Sequence, residues 1–190
     1  MPKTLILASS SPRRQELLQQ VNIPFQIRKP LFDESVIQTT DPRQRVKELA
    51  AAKGKAVSPQ ENEVILSSDT VVSFKGKIFE KPQTKTEAQE MLTALSGNTH
   101  DVFTGVMIRS KEKECVFAER TEVEFWPLAK ETMDWYISTE EPYDKAGAYG
   151  IQSLGAMFVK QIVGDYYNVV GLPISRVVKE LSDFGIYPEV

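Results

Sequence analysis

The sequence predicts an α/β fold with a mixed β-sheet, on three observations. Short apolar runs alternate with amphipathic helical segments in the first third of the 190 residues. Antiparallel hairpin patterns dominate the middle of the chain. Hydrophobic residues make up 41% of the chain, which is ordinary for a folded protein and argues against disorder. Parallel strands need crossover helices between them, whereas the strands of a hairpin are antiparallel. Since both patterns occur in this chain, we expect a mixed sheet rather than a purely doubly wound one.

The amino-terminal part of the chain predicts two strand–helix pairs. Leu5–Ala8 is a short apolar run, typical of a buried strand. Ser11 is a suitable helix cap and Pro12 suits the first helical position, so a helix is expected from there to Gln20. A second strand follows at Phe25 and Ile27, and Asp41-Pro42 begins a second helix with Val46, Leu49, Ala50 and Ala56 or Val57 along one face.

The middle of the chain is rich in strands. Val64–Phe74 predicts a strand with a polar interruption at Ser67–Thr70. Thr86–Gln89 fits a capping box at the start of a helix that ends at Gly97. The remaining strands of this part are Lys77–Phe79, Val102–Ile108 and Cys115–Phe125.

The carboxyl-terminal part is expected to end in a helix. Lys130–Ile137 predicts a short helix, and Asp144–Phe158 is rich in glycine and small residues. Val159–Val170 is more typical of a strand. Pro173–Phe184 predicts a final amphipathic helix, which Gly185 stops.

Composition excludes several classes of site. The only cysteine, Cys115, rules out an internal disulfide and a multi-cysteine zinc site. The only histidine, His100, rules out mechanisms that need two, so a metal would be held by carboxylates and water, which favours magnesium or manganese. No apolar stretch approaches membrane-spanning length, so no membrane association and a cytoplasmic location are expected.

The charge distribution is more informative than the net charge of −3, which argues against a long polyanion such as DNA. Residues 1–60 carry 10 basic and 5 acidic side chains, whereas residues 61–190 carry 13 and 21. This surplus of positive charge near the amino terminus favours a local site for a small anion.

The length of 190 residues suits one domain, or two small lobes that share a core.

The turn at Ser9–Arg14 is the first candidate site. Backbone N–H groups at a helix start and serine hydroxyls are anion ligands, and Arg13 and Arg14 add bidentate donors. Two arginines in a first helical turn oppose the helix dipole, so their placement favours a bound phosphate. The alternative is a solvated first turn with a chance Arg-Arg pair.

Asp69, followed by Thr70, is the second candidate. A carboxylate within an apolar strand is costly unless it is hydrogen-bonded or binds a cation. Beside a phosphate site it would bind magnesium or take a proton from water. The alternative is that the strand bends here and Asp69 is exposed to solvent.

Three further candidates are weaker by themselves. Asp33-Glu34 would matter only if its loop folds back toward Asp69, and Lys53 and Lys81 are equally consistent with surface lysines. Asp144–Gln152 contains small residues that let a ligand approach the backbone, and Gln152 offers a donor and an acceptor for a base edge. A tight turn is the alternative there. His100 is expected to be a structural hydrogen-bonding residue.

Taken together, these segments resemble the Maf nucleotide pyrophosphatases. The most specific part is Leu7–Leu18, and the likeness continues in order along nearly the whole chain. Ser67 and Ser68 stand where glycine and alanine are common in the family, which is a small departure. The other segments that carry the likeness are Asp33-Glu34, Ala52-Lys53, Ser68–Thr70, Glu80–Pro82, Leu95–Gly97, Thr99-His100, Asp144–Gln152, Gly164–Tyr167 and Gly171–Pro173.

The resemblance implies a two-lobed fold similar to the inosine triphosphatases, with a curved mixed sheet, a central cleft and one domain over residues 1–190. It implies hydrolysis of a nucleoside triphosphate to the monophosphate and pyrophosphate with Mg²⁺ or Mn²⁺. The segment 148–152 is similar to the branch that acts on dTTP and UTP. A role in clearing the nucleotide pool, a link to septum formation and cell-division arrest, and a homodimer are family expectations.

The resemblance also assigns roles to individual residues. Asp69 would be the general base, and Glu34 with Asp69 would hold the metal. Two alternatives from other classes remain open: a nucleotide-binding regulator that hydrolyses too slowly to matter, and a nucleic-acid binder, against which the scattered aromatic residues argue. The substrate-binding positions are Ser9, Arg13, Arg14, Lys53 and Lys81, and the positions linked to base choice are Arg13, Thr70 and Gln152.

Overall fold

A seven-stranded mixed sheet organises the chain, as predicted. The computed structural model describes residues 3–190. The strands are β1 (Thr4–Leu7), β2 (Phe25–Ile27), β3 (Glu63–Phe74), β4 (Lys77–Phe79), β5 (Thr99–Arg109), β6 (Glu114–Phe125) and β7 (Val159–Val163). The strand order is β2-β1-β3-β5-β6-β7, and β4 pairs with β3 outside this series. β1 is parallel to β2 and β3, and the other pairs are antiparallel.

Six α-helices accompany this sheet within residues 3–190, and most begin where the sequence predicts. The helices are α1 (Pro12–Gln20), α2 (Pro42–Lys55), α3 (Lys85–Leu95), α4 (Lys130–Ile137), α5 (Tyr166–Val170) and α6 (Ile174–Asp183). Asp41 caps α2 by accepting a hydrogen bond from the Gln44 N–H at 2.7 Å. Among these residues, no helix is long and apolar enough to cross a bilayer.

The cap of α3 lies two residues before the predicted one. The hydroxyl of Thr84 accepts a hydrogen bond from the Glu87 N–H, and the Glu87 carboxylate accepts one from the Gln83 N–H at 2.6 Å. The capping box predicted at Thr86–Gln89 is therefore wrong. Glu87 is the third residue of the helix, and a carboxylate at this position reaches back to backbone N–H groups at the helix start.

The strand predicted over Val159–Val170 is wrong in its second half. β7 ends at Val163, and Gly164 turns the chain with φ +123°, a backbone conformation that L side chains rarely adopt. Asp165 then caps α5, because its carboxylate accepts a hydrogen bond from the Tyr167 N–H at 2.8 Å. The apolar composition of the following residues serves helix packing instead of a strand.

The polar residues of β3 do not interrupt it. The pairing with β5 runs without a break from Ile65↔Arg109 to Ser73↔Asp101. Alternation along β3 sends Val64, Leu66 and Val72 to one face, where two apolar clusters lie. The first cluster lies against α1 and α6, and the second against α3 and α4. The division of one domain into two lobes stays a prediction.

An opening in the sheet positions the cleft. One edge of β3 pairs with β1 as far as Leu66 and with β4 from Val72 onward. Within residues 3–190, no strand covers the intervening edge at 67–71. The chain leaving β1 passes beside this edge, since the Ala8 N–H donates to the Leu66 carbonyl at 2.8 Å. The serine turn and Asp69 are thereby brought together.

Candidate functional site

Two adjoining pockets share several lining residues, and the larger one opens at the uncovered edge of β3. The larger has a volume of about 490 Å³, and its walls include apolar side chains together with Asp69, Thr70 and Gln152. The smaller has a volume of about 260 Å³ and contains the turn of Ser9–Arg14 and Glu34. The basic side chains of the smaller pocket are Arg13, Arg14, Lys29, Lys53 and Lys81.

The shared wall of the two pockets contains much of the predicted site. Ser11, Arg13, Arg14, Lys53, Lys81 and Asp144 line both pockets. The structure thus places every residue of the predicted substrate, metal and base-choice sets in one of the two pockets or in both. Lys29 is an additional cation that the sequence reasoning did not single out.

Asp69 is a buried carboxylate held by a lysine. It is 8% exposed, and its Oδ1 accepts a hydrogen bond from Lys53 Nζ at 2.5 Å. The same ammonium lies 2.9 Å from Glu34 Oε1. The loop that carries Glu34 therefore folds back toward Asp69, and the solvent-exposed alternative for Asp69 is wrong.

The electrostatics of this cluster keep Glu34 charged. Burial raises the pKa of its carboxyl, but the hydrogen bond from Lys53 and the charges of Lys53, Lys81 and Arg14 together hold that pKa below its ordinary value. Asp33, its neighbour, points elsewhere and accepts hydrogen bonds from the N–H and hydroxyl of Ser35. Only one member of the Asp33-Glu34 pair reaches the cluster.

Arg14 ties the serine turn to two other elements. Its Nε donates to the Gly171 carbonyl at 2.9 Å, and its terminal nitrogens lie 3.3 Å from Ser9 Oγ and 3.4 Å from Thr70 Oγ1. Burial lowers the pKa of Arg14 to about 10, so the guanidinium stays charged at neutral pH. Arg14 therefore supplies positive charge between the pockets and also fixes their geometry.

Arg13 pairs across the mouth of the cleft with Asp144. Arg13 Nη1 lies 2.9 Å from Asp144 Oδ2, and Lys145 Nζ lies 2.6 Å from the other carboxylate oxygen. Burial raises the pKa of Asp144, but these two hydrogen bonds hold it below its ordinary value. Sequence reasoning missed this pair, because nothing in a single sequence links two residues 131 positions apart.

A cluster of aromatic rings lies behind Tyr149, which lines the larger pocket. The Tyr149 hydroxyl lies 2.7 Å from His100 Nε2, and burial raises the pKa of this phenol. Both rings contact Phe125. Burial also lowers the pKa of His100 to about 4, so the imidazole is neutral and structural, as predicted. Gly147, with φ +69°, packs against Val72, where a Cβ would approach to 2.8 Å.

The side chains at this site that could act as metal ligands limit how a metal ion would be bound. Residues 3–190 contain no group of three or more His, Cys, Asp or Glu side chains arranged for a metal ion. Glu34 and Asp69 do, however, approach the same Lys53 ammonium beside the basic pocket. One or two carboxylates plus phosphate oxygens are the usual ligands of protein-bound magnesium, so this pair suits a metal that arrives with a phosphorylated ligand.

Comparison with known proteins gives a consistent picture. The sequence model of one family, described as Maf-like protein, matches residues 4–184. A dTTP/UTP pyrophosphatase of Bacillus cytotoxicus is 51% identical over 183 residues, covering 96% of each chain. A dTTP/UTP pyrophosphatase of Bacillus cereus is 50% identical over 185 residues, covering 97% of each chain.

The fold also matches a solved structure. The structure of a HAM1 protein from Coxiella burnetii covers 95% of this chain and 99% of its own, with a TM-score of 0.55 and 15% sequence identity. Such a low identity carries information on the fold alone. It confirms the predicted α/β architecture of the inosine-triphosphatase type.

Proposed function

The chain belongs to the Maf family, and we propose that it hydrolyses dTTP and UTP to the monophosphate and pyrophosphate. The observation that carries this proposal is a buried, lysine-held carboxylate, Asp69, in the wall of a larger, partly apolar pocket that adjoins a smaller basic one. A nucleoside triphosphate has the same two-part character. The names of the related Bacillus proteins support the choice of dTTP and UTP.

The triphosphate would occupy the smaller pocket and the base the larger one. Five cations and the serine turn of the smaller pocket offset the charge of a triphosphate. Val72, Val102 and Ile151 line the larger pocket with apolar surface that suits the faces of a base. The α-phosphorus would then lie near the boundary, where Arg13, Arg14 and Lys53 line both pockets.

Asp69 would act as the general base. Its carboxylate takes a proton from a water molecule, whose oxygen attacks the α-phosphorus and forms a new P–O bond. The bond from the α-phosphorus to the bridging oxygen breaks, and pyrophosphate leaves with the electron pair. Lys53 orients the carboxylate through its hydrogen bond at 2.5 Å, and Lys81 and Arg13 offset charge on the leaving group.

A divalent metal, Mg²⁺ or Mn²⁺, is part of this proposal. Glu34 and Asp69 would hold it together with phosphate oxygens, because both carboxylates approach the same position beside Lys53. When bound, such a cation neutralises charge that develops on the phosphates. Lys53 already offsets the mutual repulsion of the two carboxylates.

Base choice would depend on Thr70, Gln152 and Arg13. Thr70 and Gln152 both line the larger pocket, and a glutamine amide offers the donor and acceptor that a pyrimidine edge needs. Arg13, fixed by Asp144, lies at the mouth of the cleft, where base and phosphates would meet.

The cellular setting is part of the same proposal. We place the activity in the cytoplasm, where it would clear unwanted pyrimidine nucleotides. We expect the protein to form a homodimer and to have no stable nucleic-acid partner.

Pyrophosphate release from a panel of nucleotides tests the proposal. Purified protein with Mn²⁺ or Mg²⁺ should release pyrophosphate from dTTP and UTP faster than from purine triphosphates. Asp69→Asn keeps the shape of the side chain and removes the base, so kcat should fall by about 10² to 10⁴-fold. Omission of the metal should abolish turnover.

Asp33→Asn is the matched control, because Asp33 is an exposed carboxylate on the same loop as Glu34 but turned toward Ser35. It should retain wild-type turnover. Undiminished activity of Asp69→Asn would contradict the role of Asp69. Tight binding of UTP by the wild type without pyrophosphate release would instead indicate a nucleotide-binding regulator.

A further inference from the structure

A relay of hydroxyl groups lies behind the larger pocket. Thr70 on β3 pairs with Thr104 on β5, and their Oγ1 atoms are 2.8 Å apart. Thr104 is fully buried, and its Oγ1 lies 2.9 Å from the carbonyl oxygen of Asn168 on α5. Thr70 is the member of this relay that lines the pocket.

The chemistry of the relay fixes the direction of its hydrogen bonds. A backbone carbonyl only accepts, so the single hydroxyl proton of Thr104 is donated to Asn168. In the bond between the two threonines, Thr104 is then the acceptor and Thr70 the donor. The proton of Thr70 consequently points away from the pocket, and its oxygen faces the pocket with lone pairs alone.

The acceptor end of the relay is held in place by other contacts. The Asn168 side-chain amide donates to the Val102 carbonyl and to Thr121 Oγ1, both at 3.0 Å. Arg14 already approaches Thr70 Oγ1 as a donor, at 3.4 Å, as expected of an oxygen that accepts. The orientation of the Thr70 hydroxyl is therefore set by the fold before any ligand arrives.

We propose that Thr104 is a positioning residue for base selection, which rests on the proposed function. By holding Thr70 as an acceptor, it favours a base with a ring N–H, as in uracil and thymine. Cytosine presents a lone pair at the same ring nitrogen and would face another lone pair. An unmatched pair of acceptors is costly when the base displaces water from the pocket, because each acceptor then loses the hydrogen bond that it made to water.

Other residues of the larger pocket supply hydrogen-bond donors. The edge of uracil presents an acceptor, a donor and an acceptor in sequence. Arg14 supplies N–H donors on one side of Thr70, and the Gln152 amide supplies one within the same pocket. Donors and an accepting Thr70 in one pocket are complementary to the carbonyl oxygens and the ring N–H of uracil and thymine, and only the accepting state of Thr70 requires the relay.

Two buried threonines provide a matched pair of variants. Thr104→Val keeps the shape and removes the hydroxyl, which frees the proton of Thr70 to turn toward the pocket. Thr121→Val removes a hydroxyl that anchors the same helix, through Asn168 and the Asp165 carbonyl, without contacting Thr70. Thr104→Ser restores the hydroxyl. The readout is the ratio of kcat/KM for UTP to that for CTP.

The ratio should fall about tenfold in Thr104→Val and stay at the wild-type value in Thr121→Val and Thr104→Ser. An unchanged ratio in Thr104→Val, or an equal fall in Thr121→Val, would overturn the proposal. The wild type with N3-methyluridine triphosphate gives a measurement that needs no variant: turnover as efficient as that of UTP would also overturn it. Absence of pyrophosphate release from UTP by the wild type would overturn the proposed function itself, and this inference with it.

Discussion

At the scale of single residues, buried polar groups are tolerated where each has a partner. Ser67 Oγ donates to the Ala50 carbonyl at 2.7 Å, and Ser68 Oγ lies 3.4 Å from the Gly171 carbonyl. Asp69 is hydrogen-bonded to Lys53, and Thr70 is hydrogen-bonded to Thr104. Because these partners come from α2, β5 and the turn after α5, β3 stays regular despite its polar stretch. The same partners hold Asp69 at the cleft.

His100 should make the fold sensitive to acid. Burial lowers its pKa from 6.5 to about 4 in the folded state. Between these values the unfolded chain binds a proton that the folded chain does not, so stability falls as the pH falls. From pH 7.5 to pH 5 this contributes a loss of about 2 kcal/mol, to be measured by urea unfolding at both values.

His100→Gln provides the control for that titration, since an amide can still hydrogen-bond the Tyr149 hydroxyl without gaining a proton. The variant should be less stable than the wild type at pH 7.5, because it loses the ring contact with Phe125. Its further loss of stability toward pH 5 should be about 2 kcal/mol smaller than that of the wild type. Equal losses in the two proteins would contradict the assignment.

At the scale of elements, α2 determines the geometry around Asp69 because it lies unusually close to the sheet. A Cβ on Gly105 of β5 would approach the Val46 carbonyl oxygen to 2.1 Å. A Cβ on Gly54 would approach Ser67 Oγ to 2.6 Å. The absence of side chains at these two positions lets the helix bring Lys53 to Asp69.

Gly105→Ala should therefore displace α2. The contact is with backbone, which yields less readily than the end of a flexible side chain, so we expect a stability loss of about 3 kcal/mol. Turnover of UTP should fall as well, since Lys53 moves with the helix. Gly76→Ala is the control: nothing lies within 4 Å of its Cβ, and its φ of +76° costs roughly 1–2 kcal/mol. Equal effects of the two substitutions would argue against the close approach of α2.

The cap of α3 offers a test at one helix end. Thr84→Ala removes the hydroxyl that accepts from the Glu87 N–H and should cost about 1 kcal/mol in the free energy of unfolding. Thr86→Ala is the matched control, because Thr86 is exposed within the helix and alanine favours helix. Urea unfolding of both variants distinguishes the observed cap from the predicted one: a larger loss in Thr86→Ala would favour the latter.

The accuracy of the sequence predictions differed with the range of the interaction. α4 was predicted to the residue, since Lys130–Ile137 shows its own apolar face. Val159–Val170 was misread because the helical turn after Gly164 is too short to display a period. The resemblance supplied the predicted site residues together, but the pairing of Asp144 with Arg13 and the role of Thr104 were missed. Their roles depend on side chains that only the folded sheet and loops bring to Arg13 and Thr70.

At the scale of the whole molecule, the two pockets draw on different parts of the chain. The smaller one takes its residues from the amino-terminal segment, where the basic surplus lies, with Lys81 and Asp144 added. The larger one takes most of its apolar wall from residues after 70. A ligand that fills both pockets would therefore link the segments around the first and second apolar clusters. It should stabilise the fold more than the nucleoside part or the phosphate part of that ligand does alone.

This expectation can be measured by thermal unfolding with α,β-methylene-UTP, which cannot be cleaved at the α–β position. With Mg²⁺, the analogue should raise Tm more than uridine or pyrophosphate does at the same concentration. The increment should shrink as KCl is raised, because the phosphate half is held by cations. Lys29→Gln should reduce the increment, since Lys29 lines the smaller pocket, whereas Lys111→Gln, on the β5–β6 turn, should not. A uridine increment as large as that of the analogue would contradict binding across both pockets.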